Sequence, residues 1–504
     1  MRYLEEWKMG LNLFGLAASY AGIFSAITVA GILLRRGLVT PASSRKLVHI
    51  TVSHWWLLMM ATMDLFWVAV IGPVSFIILN LISLKSGMFK AMEDPEPSRN
   101  YGTVYFPVSL LVLVLSAWAG LIPLWVGGVG ILVMGWGDGL AALAGLRFGK
   151  RSATIFGSRK SLVGTLVMFV ASFVVTVVLT AVFDPRLSLG LLLGRALATA
   201  VFASMVELLT PFGIDNITVP ILTAFFYHYV AMTGDMQPFL VAAGFNALFA
   251  LAGWALHGVD AGGAIAGMAV GTGLLVSAGM PAFAILGAFF FSSVFLGRIG
   301  KGRRDEAALV IHKGGRRDTW QVLANGGVGL VTALAYGISH QPAFLVACGV
   351  AFAEATADTW ASEIGVLSPA RPRSILSRKE LPAGASGGVS RLGTLASLAG
   401  AVLVGLIFMA GYRGLLGHAE AFSAAIWVAA GGFAGAVIDS VLGATVQAQY
   451  ECSLSGKLTE RPRTDGVLNA LTRGYRWVTN DVVNALSGAA SALLAGFLYA
   501  VFAG

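Results

Sequence analysis

Apolar runs long enough to cross about 30 Å of hydrocarbon recur from one end of the 504-residue chain to the other, leaving no interval for a soluble domain. In lipid such runs must satisfy their own backbone hydrogen bonds, which selects helices. The expected fold is therefore an all-α polytopic membrane protein. The first run, from Leu11 to Leu34, is too long for a signal-peptide core and lacks a small-residue cleavage pattern, so it reads as a retained helix. A mean hydropathy of +0.79, with only 12% charged residues, excludes a water-soluble globule. The two cysteines, Cys348 and Cys452, have no metal-ligand spacing and support neither a disulfide framework nor a zinc site.

The net charge of +9 falls in six clusters, at 35–46, 85–99, 147–160, 298–317, 371–391 and 457–476. Candidate spans between successive clusters number about two, two, six, two and two, so one orientation puts every cluster on the same side. By the positive-inside rule that side is cytoplasmic. The total is about sixteen transmembrane helices, with both termini outside. The expected location is a prokaryotic plasma membrane with active sites on its cytoplasmic face.

This topology sorts the acids. Asp64, Asp184, Asp235 and Glu420 fall in short outer turns, where solvation explains them. Asp138, Glu207, Asp215, Asp260, Glu354, Asp358, Glu363, Asp439 and Asp481 gather at or near the basic side. A carboxylate at the centre of a span costs about 2.5 to 3.5 kcal/mol on insertion scales. Pairing with Lys or Arg would account for any one of them, but less well for nine on one side. Acids that can hold Mg²⁺, cations that neutralise phosphate and glycine-rich loops together make a phosphoryl-transfer inventory. A P-loop is excluded, because Gly145, Gly149 and Lys150 are too closely spaced and Arg151 stands where Ser or Thr is required. Nothing in the pattern calls for nucleic acid.

In SSRKLVHI, residues Arg45, Lys46 and His49 can share one helix face. GDGLAALAGLRFGKRSATIFGSRKSLVGT carries Asp138, then Lys150, Arg159 and Lys160 ahead of a helix start, where an anion is favoured. VELLTPFGIDNITVP adds Glu207, Asp215 and Asn216. Together with YGTVYFP, these segments resemble, in order, the phytol kinase and dolichol kinase family. The resemblance implies phosphorylation of an isoprenoid alcohol, typically with CTP, and a nucleotide site in the glycine-rich Asp and Lys region. Val163 departs from it, since the family usually carries Glu there.

The second half presents Gln321 and Asn325 on one face, then AFAEATADTWASEIG with Glu354, Asp358 and Glu363. Glu354 and Asp358 lie one turn apart and can share an ion. Glu363 points about 140° away from Asp358, so it needs a helix break near Gly365 or its own Arg or Lys partner. A long basic loop follows, with Arg378, Lys379, Gly387 and Gly388, then Asp439 in AVIDSVLGATVQ and Arg473, Asn480, Asp481 and Asn484 in LTRGYRWVTNDVVNAL. QVLANGG, ATADTWASEIG, PAGASGGVSRLGT, IDSVLGATVQAQYEC and LTRGYRWVTNDVVN are similar to the phytyl-phosphate kinase family. That resemblance implies addition of a second phosphate to an isoprenyl monophosphate. Ala385 departs from it where Thr is usual.

Asp138, Ala141 and Gly145 match Asp358, Ala361 and Gly365 in spacing, and SRK and GTL follow in both halves. Such matches fit an internal duplication into two bundles, and small-residue-rich helices also produce them by chance. The expectation is a bifunctional kinase, with residues 1–235 making a prenyl monophosphate and 236–504 the diphosphate. The partners would be prenol, prenyl phosphate, nucleoside triphosphate, Mg²⁺ and membrane lipid. Asp138, Glu207 or His49 would accept the alcohol proton. Asp138 and Asp358 would bind Mg²⁺ or orient the attacking oxygen, with Asp439 joining the second site. Asp215, Glu354, Glu363 and Asp481 complete the candidate metal ligands. Lys160 and Lys379 would meet phosphate charge, alongside Arg45, Lys46, Lys150, Arg159, Asn216, Asn325, Arg378, Gly387, Gly388, Arg473, Asn480 and Asn484. A CTP-dependent lipid cytidylyltransferase and a duplicated secondary transporter are the rival readings; the one-sided acids count against transport.

Overall fold

The computed structural model describes residues 2–86, 101–155, 158–211, 213–234, 236–297 and 316–503. All but the first two residues of the basic segment 85–99, all but the last two of 298–317, and Asp235 lie outside the described residues. The chain divides into two compact units, Met1–Leu240 and Val241–Gly504.

Unit 1 contains α1 (Arg2–Arg35), α2 (Pro41–Ser53), α3 (Trp55–Thr62), α4 (Phe66–Ser86), α5 (Gly102–Trp118) and α6 (Leu124–Leu132). One turn of π-helix, Val133–Asp138, joins α6 to α7 (Gly139–Phe148). A hairpin of β1 (Ser152–Ile155) and β2 (Ser158–Ser161) leads into α8 (Leu162–Phe183), α9 (Leu189–Leu209) and α10 (Asp215–Thr233). Local signals set these ends. Thr40 accepts a hydrogen bond from Ser43 N with Pro41 in the first turn of α2, and Gly234 ends α10 in the left-handed region at φ 69°. The core gathers Trp56, Met59, Leu113, Val129, Met134, Met168 and Tyr227.

Unit 2 begins within α11 (Gln237–Ala255) and continues with α12 (Ala261–Leu296), α13 (Thr319–Ser339), α14 (Pro342–Gly365), α15 (Arg391–Leu416), α16 (His418–Thr445) and α17 (Asn480–Phe502). Helix α14 is buried without interruption from Leu345 to Ala357, and α12, α13, α15, α16 and α17 all pack against it. A helix enclosed on all sides must be apolar and slim, which its Ala, Gly and Cys residues supply. Phe352, Phe408, Val428 and Tyr499 fill the surrounding core.

Eleven helices among the described residues are long and apolar enough to cross a membrane. The count falls below sixteen for identifiable reasons. The segment from Pro41 to Thr62 is interrupted at His54, α5 has 17 residues, α10 carries Asp215, Asn216 and His228 in only 19 residues, and α14 carries three acids. Helix α12 counts once although Gly279, at φ 77°, breaks it. The chain is not strictly all-α. Besides β1 and β2, unit 2 has a two-stranded pair, β3 (Arg373–Ser374) with β4 (Gly388–Val389). Between α16 and α17 it has β5 (Gln449–Glu451) flanked by β6 (Leu458–Thr459) and β9 (Ala470–Arg473), and the pair β7 (Arg463–Thr464) and β8 (Val467–Leu468). These are polar, glycine- and proline-containing connections whose backbone groups pair locally instead of in a helix.

Candidate functional sites in the two units

In unit 1 the π-turn delivers Asp138 to α2. A π-turn inserts a residue into the helical repeat and recurs at functional positions. Its glycines allow close approach: a Cβ on Gly135 would lie 2.2 Å from Ser53 Oγ, and one on Gly139 2.4 Å from Ile50 Cγ1. Lys46 Nζ consequently donates to Asp138 Oδ2 in an ion pair whose side chains are 11% and 7% exposed. Lys160, at the end of β2, donates both to the Glu207 carboxylate and, at 3.1 Å, to the Glu207 carbonyl. Burial works against the Lys160 charge, but the carboxylates of Glu207 and then Asp215 outweigh it and raise the pKa of the ammonium. Asp215 caps this arrangement at the start of α10, accepting from Asn216 N at 3.0 Å and Asn216 Nδ2 at 2.9 Å.

Ligand atoms of Asp138, Glu207 and Asp215 all lie within 4.8 Å of one another. Residues separated by 77 positions in sequence thus form one carboxylate knot, with two ammonium groups against three carboxylates. All three offer hard oxygen donors, which suits Mg²⁺. His49 stands beside the knot, its ring centroid 4.3 Å from that of Phe106 and its Nε2 buried without a hydrogen-bond partner among the described residues. Lys150 and Arg159 remain at the surface, Arg159 Nε donating to Ser152 Oγ at 2.6 Å. An apolar slot of about 70 Å³ opens from Arg45, Lys46, His49 and Asn216 and runs between α1, α2, α4 and α5 to Trp55.

In unit 2 the acids are answered differently. Glu354 is 2% exposed, in space left by glycines: a Cβ on Gly435 would lie 2.5 Å from Glu354 Cγ. Ser487 Oγ lies 2.7 Å from Glu354 Oε1, 3.2 Å from Asp439 Oδ2 and 3.1 Å from the Asn484 carbonyl. One hydroxyl proton faces three acceptors there. The Asn484 amide nitrogen donates to Asp439 Oδ2 at 3.2 Å and to the Asn480 carbonyl at 2.9 Å, which leaves its amide oxygen facing the Asn325 amide at 3.2 Å. Among the described residues, no Lys or Arg forms an ion pair with Glu354, Asp358 or Asp439.

Asp358 and Asp439 line a cavity of about 1840 Å³, with Glu363, Asn480, Asp481, Gly387 and Gly388 also on its wall. Its cations are Arg371, Lys457 and Arg476, which sequence reading registered only as members of basic clusters. Glu460 joins two walls, its Oε1 accepting from Ser386 Oγ and from Gln447 Nε2 at 2.9 Å. Arg473 Nη2 donates to the Gly443 carbonyl at 2.8 Å and holds the end of α16. Arg378 and Lys379 lie on an exposed turn outside this lining. Helix α14 runs unbroken to its end at Gly365; burial lowers the pKa of half-buried Arg317, and the third acid, Glu363, opposes part of that shift. Sequence gave no signal for Ser487, an ordinary serine in a small-residue helix.

Both units build one corner alike. Ser161 Oγ accepts from Gly164 N at 3.0 Å at the start of α8, and Ser390 Oγ from Gly393 N at 3.1 Å at the start of α15. A Cβ on Gly164 would lie 3.1 Å from the Ala141 carbonyl, and one on Gly393 3.0 Å from the Ala361 carbonyl. These glycines therefore bring helices together. The serine caps also correct the sequence pairing of the two SRK runs. Lys160 directly precedes its cap, whereas Val389 occupies that place in unit 2 and Lys379 lies further upstream.

The family of integral membrane proteins described as DUF92 matches residues 244–492. The phytol kinase of Synechocystis sp. is 36% identical over 216 residues, covering 42% of this chain and 88% of the relative. Protein PGR of Arabidopsis thaliana is 32% identical over 248 residues, covering 43% and 82%. The probable chloroplastic phytol kinase of Triticum aestivum is 29% identical over 220 residues, covering 40% and 72%. No solved structure matches.

Proposed function

From the premise that the chain belongs to the phytol kinase family over about two fifths of its length, we propose that unit 1 phosphorylates an isoprenoid alcohol and unit 2 the resulting monophosphate. The observation that carries the first step is the knot of Asp138, Glu207 and Asp215, flanked by Lys46 and Lys160 and adjoining an apolar slot. In this reading the prenol hydroxyl meets Lys46 and His49 while its tail enters the slot. The alcohol proton passes to His49 Nε2 or to Asp138 as the oxygen attacks the γ-phosphorus; the bond to the bridging oxygen breaks and the nucleoside diphosphate leaves. Lys46 and Lys160 transfer their hydrogen bonds from carboxylate to phosphate oxygens. Mg²⁺, held by the freed carboxylates, would neutralise triphosphate charge.

For the second step the lining of the large cavity of unit 2 offers the acids Asp358 and Asp439 together with the cations Arg371, Lys457 and Arg476. A prenyl phosphate is already ionised, so this step has less need of a strong base. The reading extends to about sixteen crossings, two related bundles and CTP as donor, all with cytoplasmic sites. Membranes containing the protein, given γ-labelled CTP, Mg²⁺ and a prenol, are expected to yield label first in prenyl monophosphate and then in diphosphate. Label released as pyrophosphate would instead support cytidylyl transfer. No prenol-dependent turnover with any nucleoside triphosphate would overturn both kinase steps.

A further inference from the structure

We infer, on the reading that unit 1 phosphorylates a prenol, that the Trp55 indole is the floor of the alcohol slot and sets how much of the chain it admits. The slot has a chemical direction. Lys46, His49 and Asn216 lie at one end, next to the carboxylate knot; the deeper lining is apolar and reaches Ser19, Trp55 and Gly72. Along α2 and the start of α3, the residues from Lys46 to Trp55 correspond to a rise of roughly 13 Å, close to half the ~30 Å hydrocarbon thickness. A hydroxyl at the polar end therefore directs its tail toward the middle of the bilayer.

Trp55 is fixed at that depth. It is 5% exposed, and its Nε1 donates to Ser19 Oγ at 2.9 Å; Ser19 in turn donates to the Gly15 carbonyl at 2.7 Å. A Cβ on Gly72 would lie 3.3 Å from Trp55 Cζ2, so the ring rests against the backbone of α4. The slot, at about 70 Å³, has little spare room. Pockets for drug-sized ligands are typically about 300–1,000 Å³, so an added isoprene unit must displace the indole or remain outside. A second groove of about 690 Å³, lined by Leu57, Trp136, Leu140 and Val170, is roomier. It includes none of Lys46, His49 and Asn216, so a chain seated there would not carry its hydroxyl to the knot.

The test uses the full chain in proteoliposomes with prenols of ten, fifteen and twenty carbons. Trp55→Ala is expected to raise the ratio of kcat/KM for the longest over the shortest prenol at least tenfold relative to wild type. A ten-carbon prenol with a terminal diazirine supplies a second readout that needs no variant. Photolysis of the wild-type protein should label Ser19, Tyr20 or Trp55. An unchanged length ratio in an active Trp55→Ala protein, or label confined to Leu140 and Val170, overturns the inference. Wild-type protein that turns over no prenol but is still labelled at Trp55 refutes the kinase reading and leaves the slot assignment standing.

Discussion

Unit 1 compensates its buried carboxylates with ammonium groups, whereas unit 2 surrounds its own with amides, a hydroxyl and an open cavity. The difference lies in the second coordination partner, because the helix corner before each site is built alike. Lys160 reaches Glu207 from the residue ahead of its serine cap; Val389, in the same relation to Ser390, cannot. Unit 1 therefore answers two of its three clustered carboxylates without substrate. Unit 2 relies more on what enters the cavity.

The comparison breaks most sharply if the units are not separate catalysts. Asp138→Asn should slow prenol phosphorylation by about 10²- to 10⁴-fold while leaving added prenyl phosphate convertible, and Asp358→Asn should do the reverse. Thin-layer separation of labelled lipids reads both steps, and loss of both in each variant would refute independent sites. Next in size is stability. Lys160→Met strands the buried Glu207 charge and should destabilise by about 3–5 kcal/mol, with much of the loss restored in Lys160→Met/Glu207→Gln. Asp439→Asn, which strands no cation, should cost less. Thermal unfolding in detergent compares them.

Ser487→Ala removes the hydroxyl between Glu354 and Asp439 and should cost about 1–3 kcal/mol, with the second step more affected than the first. Equal effects on both steps would contradict the separation of units. The smallest effect is expected for Lys379→Ala. Its exposed turn lies outside the cavity lining, and a change within about 0.5 kcal/mol alters either rate by little more than twofold. A tenfold loss of the second step would instead make that turn a phosphate ligand and draw the two sites closer in design.

Much of this was legible in the chain. Helix-length apolar runs follow directly from hydropathy, and Asp138, Glu207 and Asp215 stand out because acids are costly in spans. Lys46 and His49 were readable as one face from helical spacing. The pairing of Lys46 with Asp138 was not, because it depends on a π-turn that no residue pattern announces. The equivalence of the SRK runs misled because triplet identity ignores the serine caps that fix register. Helical spacing separates Glu363 from Asp358, but only the folded chain brings its charge near Arg317.

The π-turn at Val133–Asp138 also makes the first site depend on a count. Wound as an ordinary α-helix, the same six residues would overwind the segment by roughly one residue's rotation and swing Asp138 by about 100° relative to α6. Every functional side chain would still be encoded, yet the carboxylate would point away from Lys46. Two chains with the same acids and lysines can therefore differ in activity through the winding of one turn alone, and a search for active relatives must preserve phase as well as identity.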